Sequence, residues 1–152
     1  MERLEAIRMF LALSSHKNIK VYQMDVKSAF LNGKIEEEVY IEQLEYFLLS
    51  ENRDYVCKLK KALYGLKKSP RAWFSRLDSY LKQQGFKRGA TESDLYLKIK
   101  DDNMIAVVVY MDDIIFGSNL QILSVNFASE MKKEFKMSML GELTFFLGLQ
   151  FY

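Results

Sequence analysis

Cysteine and histidine are almost missing from this chain, and each shortage removes a class of explanation. Its 152 residues hold one cysteine, Cys57. That rules out an internal disulfide framework and a cysteine-based zinc site, and fits a reducing compartment. A small, partly buried apolar role is expected for it. The one histidine, His16, has no second imidazole with which to build a centre, so it is expected at a helix end or on the surface. No apolar run approaches the roughly 20 residues that cross a bilayer. The start of the chain also lacks the basic and long apolar segments of a signal peptide. No membrane is expected as a partner, and a soluble, intracellular protein is the expectation. Low-complexity segments and internal repeats are missing too, and no domain boundary stands out.

What is present is a core. A hydrophobic content of 49% with 14% aromatic residues excludes extensive disorder and suits one domain. The most apolar segment, MIAVVVYMDDIIFGS from Met104 to Ser118, carries two adjacent carboxylates, Asp112 and Asp113, at its centre. β-Branched and aromatic residues on both sides predict two strands meeting in a turn near Met111, the first apolar on both faces and therefore covered on both. Turn chemistry alone would account for an Asp pair. Charges beside such a core otherwise need a partner, and a divalent cation is the most direct one. Asp101 and Asp102 offer the contrast: between Lys100 and Asn103 they read as a plain turn.

The net charge of +2 hides an uneven distribution. Between Arg53 and Lys100 stand thirteen Lys and Arg against four Asp and Glu. Interleaved with Tyr64, Trp73, Phe74 and Tyr80, this basic middle is of the kind that follows a phosphate backbone, or else forms a solvated helix face.

In order, the spacing predicts a helix from Glu2 to about Ser15 and a strand over Ile19 to Val26. Ile19, Val21, Gln23 and Asp25 lie on one face of that strand. A tight turn or helical piece is expected at Lys27 to Leu31 and a turn at Asn32-Gly33. A short segment ending in VYIEQL follows, then a loop from Glu45 to Asp54 and a short strand over Asp54 to Lys60. A helix over Arg71 to Gln84 is next, with Ser69 as its cap, Pro70 in its first turn and Gly85 ending it. Trp73, Leu77, Tyr80, Leu81 and Gln84 share a stripe of it, Trp73 as a core anchor. A strand over Leu95 to Lys100, the central hairpin, a helix bearing Leu120, Leu123, Phe127, Met131 and Phe135, and a hairpin around Gly148 complete the chain. This order predicts an α+β fold, an antiparallel sheet with helices packed on one face. Asp25 and the Asp112-Asp113 pair end strands of one sheet. As neighbours they would bring three carboxylates together, enough for two cations roughly 3.5–4 Å apart.

Four stretches resemble a known family: Tyr110-Met111-Asp112-Asp113 in its apolar hairpin, MDVKSAFLNG from Met24 to Gly33, KALYGLKKSPRAWF from Lys61, and FFLGLQF near the end. Together and in this order they resemble the reverse transcriptase of Copia-type LTR retrotransposons over nearly the whole chain. The resemblance implies a polymerase palm with a ferredoxin-like core and truncated fingers, as a single domain over 1–152. It implies that Asp25, Asp112 and Asp113 hold two magnesium ions for nucleotidyl transfer from a dNTP to a primer 3′-hydroxyl on an RNA or DNA template. Phe30, five residues after the first aspartate, would lie under the sugar of the incoming nucleotide and reject a 2′-hydroxyl, the alternative being core packing. Gly65, Ser69 and Pro70 would line the nucleotide pocket, Tyr110 and Met111 would touch the primer end, and Leu147-Gly148 would grip the primer.

The chain departs from the family where Leu44-Glu45-Tyr46-Phe47 stands in place of a Pro-Pro-Gly-Phe sequence, which affects the local fingers structure. Further fingers residues upstream, and a thumb and RNase H domain downstream, are expected to be missing. Two functions of different class remain: an RNA-directed DNA polymerase, and a truncated, inactive palm-like remnant that at most binds nucleic acid.

Overall fold

A computed structural model describes residues 4–47, 54–91 and 94–150. The chain forms two compact units, one from residues 1–28 with 78–152 and one from residues 29–77.

The first unit begins with α1 (Leu4–His16), which buries Ala6, Ile7, Phe10 and Ser14 at helical spacing. It ends in a Schellman turn. Asn18 takes a φ of 50°, its N–H reaches the Ser15 carbonyl, and the N–H of Ile19 reaches that of Ser14 at 2.8 Å. Asparagine tolerates this left-handed position, so Asn18, not the exposed His16, turns the chain into β1 (Val21–Val26). Gly85 does the same, at φ 88°, for the helix α2 (Ser69–Gln83), as expected. Ser69 opens that helix, and its hydroxyl donates to the Leu63 carbonyl, serving the preceding turn in place of the expected cap.

The strands β4 (Lys87–Arg88), β5 (Leu95–Lys100), β6 (Asn103–Tyr110) and β7 (Asp113–Ser118) precede α3 (Gln121–Glu134) and β8 (Met137–Glu142). They form one antiparallel sheet in the order β4-β5-β6-β7-β1-β8. A small hairpin, β9 (Phe145–Phe146) with β10 (Leu149–Gln150), turns at Leu147-Gly148. Neither β4 nor β8 was expected, because a two-residue strand has no period and the run MSMLGE alternates poorly.

From Ile105 to Val109 and from Ile114 to Ser118 every residue is buried. Strands with two apolar faces need two covers. The register sets Val108 opposite Ile115 and Val107 opposite Phe116. Ile7 and Phe10 of α1 join Ala106, Val108 and Ile115 in one cluster with Leu95, Leu143 and Phe146. On the other face Phe116 meets Phe127 of α3, ring centroids 5.0 Å apart. The expectation that all helices lie on one face is therefore corrected: α1 covers the face opposite α3, since otherwise the row of Ala106, Val108 and Ile115 would face water.

Gly117 marks a close approach between β7 and the residues that lead into β1. A Cβ there would stand 2.7 Å from the Lys20 carbonyl oxygen and 2.8 Å from Cγ2 of Ile19. Backbone cannot yield cheaply, so Gly117→Ala should cost about 1–3 kcal/mol as overpacking does. Calorimetric melting checks this: a midpoint lower by roughly 2–4 °C per kcal/mol is expected, and an unchanged midpoint would refute it.

The second unit holds short 3-10 turns at Ala29–Asn32 and Glu45–Phe47, and the two-stranded ribbon of β2 (Tyr40–Glu42) and β3 (Val56–Lys58). Lys34 and Lys61 form an isolated bridge. Cys57 on this ribbon is exposed, not partly buried as expected, because the ribbon is a surface one. Trp73 is fully buried, as an anchor should be. Most of the expected loop over 45–54, the expected helix start at Glu2 and the hairpin end at Tyr152 lie outside the described residues. Among the described residues no helix is long and apolar enough to cross a membrane.

Candidate active site

The central hairpin closes in two residues, Met111 and Asp112, between the paired Tyr110 and Asp113. Met111 takes a φ of 55° and is exposed. That conformation costs an L-residue roughly 1–2 kcal/mol, and such strain gathers at functional sites. Position one of this turn would suit glycine.

The hairpin tip is tied to the end of β1. Asp25 lies directly opposite Asp113 in the antiparallel register, and the N–H of Val26 donates to the Asp112 carbonyl at 2.9 Å. Asp25, Asp112 and Asp113 stand at one end of neighbouring strands, all half-buried. Like charges directly opposite one another on a sheet are destabilising, and the Asp113 carboxyl registers this. Burial pushes it above the ordinary carboxylate range, the Gln23 amide draws it back, and the charges of Asp112 and Asp25 push it up again. Nε2 of Gln23 donates to Oδ1 of Asp113 at 3.1 Å.

An acid whose folded pKa is raised is a net cost once ionised. Stability is highest below the unfolded value near 3.9 and falls as pH rises through the folded one. Asp113→Asn should therefore raise the melting midpoint at pH 7. The gain should shrink as pH falls through the folded value and vanish below the unfolded one, where both states carry the proton. A midpoint lowered at pH 7 would show that Asp113 is compensated in the free protein.

Carboxylate oxygens are the donors that magnesium takes. Among the described residues, however, no three His, Cys, Asp or Glu side chains are grouped so as to hold an ion by themselves. Magnesium usually keeps waters and substrate oxygens and binds through one or two carboxylates, so the donor set suits an ion shared with a bound substrate.

Tyr110, on the face of Asp113, meets Phe146 edge to face with centroids 5.8 Å apart. Phe146 precedes the Leu147-Gly148 turn, where both residues have positive φ, 48° and 80°. The first unit thus brings together Asp25, Asp112, Asp113 and Tyr110, with Leu147-Gly148 reached through Phe146. The second unit holds the other expected residues. Phe30 is half-buried with its ring 4.8 Å from that of Tyr64, the planes inclined at 39°. Its carbonyl accepts the Gly33 N–H. Gly33 in turn packs so close to Ala72 and Trp73 that a Cβ would come within 2.8 Å of backbone. Gly65 takes a φ of 88° in the open, Ser69 is buried and Pro70 exposed.

Sequence reasoning placed Gln23 on the strand face of Asp25 and Tyr64 in the basic middle, but gave neither a role beside Asp113 or Phe30. Gln23 had one available signal, an amide on the strand face that carries Asp25.

Comparison with known proteins gives a family model described as reverse transcriptase (RNA-dependent DNA polymerase), which matches residues 1–152. The retrovirus-related Pol polyprotein from transposon TNT 1-94 of Nicotiana tabacum is 36% identical over 97% of this chain and 11% of its own length. That from transposon RE1 of Arabidopsis thaliana is 34% identical over 95% of the chain and 10% of its own. A transposon Ty5-1 protein of Saccharomyces cerevisiae is 35% identical over 85% of the chain and 42% of its own. The chain spans about a tenth of the length of the Pol polyproteins it matches.

Proposed function

We propose, from the premise that the chain belongs to the reverse transcriptase family of RNA-dependent DNA polymerases, that it carries the palm and part of the fingers of such an enzyme. In this reading the sheet with its helices is a ferredoxin-like palm, and the reaction is transfer of a deoxynucleotide from a dNTP to a primer 3′-hydroxyl on an RNA template. One observation carries the reading: Asp25 opposite Asp113, with Asp112 joined to the same strand end.

Asp25, Asp112 and Asp113 would hold two magnesium ions, together with substrate oxygens. The chemistry that magnesium supplies at such a site is activation of the attacking oxygen and stabilisation of the leaving one. The chain's own residues do the positioning on which this transfer depends. The Val26 to Asp112 hydrogen bond fixes the hairpin tip against β1, so the carboxylates present their charge without reorganising. Tyr110 and Met111 face the primer end and Leu147-Gly148 grips it. Phe30 sits under the sugar, while Gly65, Ser69 and Pro70 line the nucleotide pocket. The basic residues between Arg53 and Lys100 follow the template-primer backbone.

A second reading, a palm-like module that binds nucleic acid without catalysis, is favoured by the missing three-ligand cluster among the described residues. Mn²⁺ added to the ¹⁵N-labelled chain with template-primer separates the two. Selective broadening at Asp25, Met111, Asp112 and Asp113 is expected for the polymerase. Broadening confined to other residues would overturn that assignment in favour of the second.

A further inference from the structure

The alternation of β1 sets Val21, Gln23 and Asp25 on one face, with Gln23 opposite Ile115 and Asp25 opposite Asp113. Gln23 is thus the diagonal neighbour of Asp113, within reach of a long side chain. Its amide donates to Oδ1 at 3.1 Å. The other oxygen, Oδ2, takes no hydrogen bond among the described residues.

We propose that Gln23 is a positioning residue for Asp113: its amide pins one carboxylate oxygen and so turns the other toward a divalent cation shared with Asp25. The proposal rests on the reading of the three aspartates as a cation site. It follows from what the site needs. A half-buried carboxylate with two like charges beside it requires a donor. A lysine or arginine in that place would supply one but would also neutralise the charge that attracts the cation. A glutamine orients without competing.

The edge strand supports the same role. The register of β8 against β1 shifts between Gln23 and Met24, skipping Leu140, and the residue opposite Gln23 is Gly141 at φ 88°. Bulges of this kind re-aim side chains beside active sites. Here the bulge brings a residue without a side chain next to Gln23, so nothing from β8 at that position takes its amide from Asp113.

The test is calorimetric titration of the 152-residue chain, bound to template-primer, with Mn²⁺, on the wild type, Gln23→Met, Gln23→Asn and Asp25→Asn. Methionine keeps the length and the packing but has no amide. Asparagine keeps an amide too short to reach. Both should bind Mn²⁺ about 10- to 100-fold more weakly, as loss of an orienting partner does, with kcat lowered and KM for the dNTP unchanged. The melting midpoint of the metal-free variants at pH 7 should fall modestly, because Asp113 loses its donor; the Mn²⁺ affinity is what separates the two roles. A purely structural Gln23 would lower the midpoint and leave Mn²⁺ affinity intact, which would overturn the proposal. If Asp25→Asn weakens Mn²⁺ binding and both Gln23 variants bind as the wild type does, the role of Gln23 alone is refuted. If Asp25→Asn also binds as the wild type does, the cation site itself fails and the role of Gln23 with it.

Discussion

Asp112→Asn should all but abolish primer extension on an RNA template with Mg²⁺, a loss of about 10²- to 10³-fold, the scale on which removing one preorganised electrostatic group acts. The fold should not change. Asp112 holds the hairpin to β1 through its backbone carbonyl, which accepts the Val26 N–H, and asparagine keeps that carbonyl. Asparagine also has nearly the same shape and suits a turn equally well. Only the negative charge and one of the two side-chain oxygen donors are lost. A variant that melts like the wild type but does not extend a primer would thus locate the loss in electrostatics. Extension at the wild-type rate would remove Asp112 from the site.

Phe30→Ala should lower the preference for deoxynucleotides over ribonucleotides by about 10- to 100-fold, the range that one missing steric contact in a pocket commands. The ring is held well enough to act as a wall. It rests on Tyr64 with centroids 4.8 Å apart, and the Phe30 carbonyl accepts the Gly33 N–H that closes the short 3-10 turn. Aromatic pairs of this kind are worth about 0.5–1.5 kcal/mol beyond their burial, so Tyr64→Ala should loosen the ring and give a smaller change in the same direction. Single-nucleotide incorporation with paired dNTP and rNTP measures both. Unchanged discrimination in Phe30→Ala would return Phe30 to a packing role, the alternative that its residue type always allowed.

Much of the fold was legible because its signals are local. The unbroken apolar runs on either side of Asp112 and Asp113 predicted the central hairpin, and Gly85 ended α2 where expected. That Asp25 and the hairpin carboxylates end apolar strands was legible, but their meeting was expected only if those strands were neighbours, and it is the pairing of β1 with β7 that sets Asp25 opposite Asp113. Sidedness was not legible. Ile7 and Phe10 state that α1 has a buried face, but nothing in their spacing says which side of the sheet receives it. Two doubly apolar strands required cover on both sides, and that requirement was the usable clue. The strand β8 was hidden because its bulge at Gly141 breaks the period that would reveal it. The bond from Gln23 to Asp113 spans 90 residues of sequence, and no local pattern encodes a partner so far away.

The strain at Met111 belongs to the same class. Its φ of 55° arises from the closure of a two-residue hairpin, and methionine is not a residue from which such a conformation is read.

The account turns on whether three aspartates at the ends of β1, β6 and β7 carry out nucleotidyl transfer. RNA-templated extension of a DNA primer by the 152-residue chain, measured with dNTPs and Mg²⁺ and again after removal of the metal by chelation, tests this most directly. Metal-dependent addition of template-matched deoxynucleotides is the predicted result; no addition with Mg²⁺ or Mn²⁺ by a chain that is folded and binds the template-primer would contradict it.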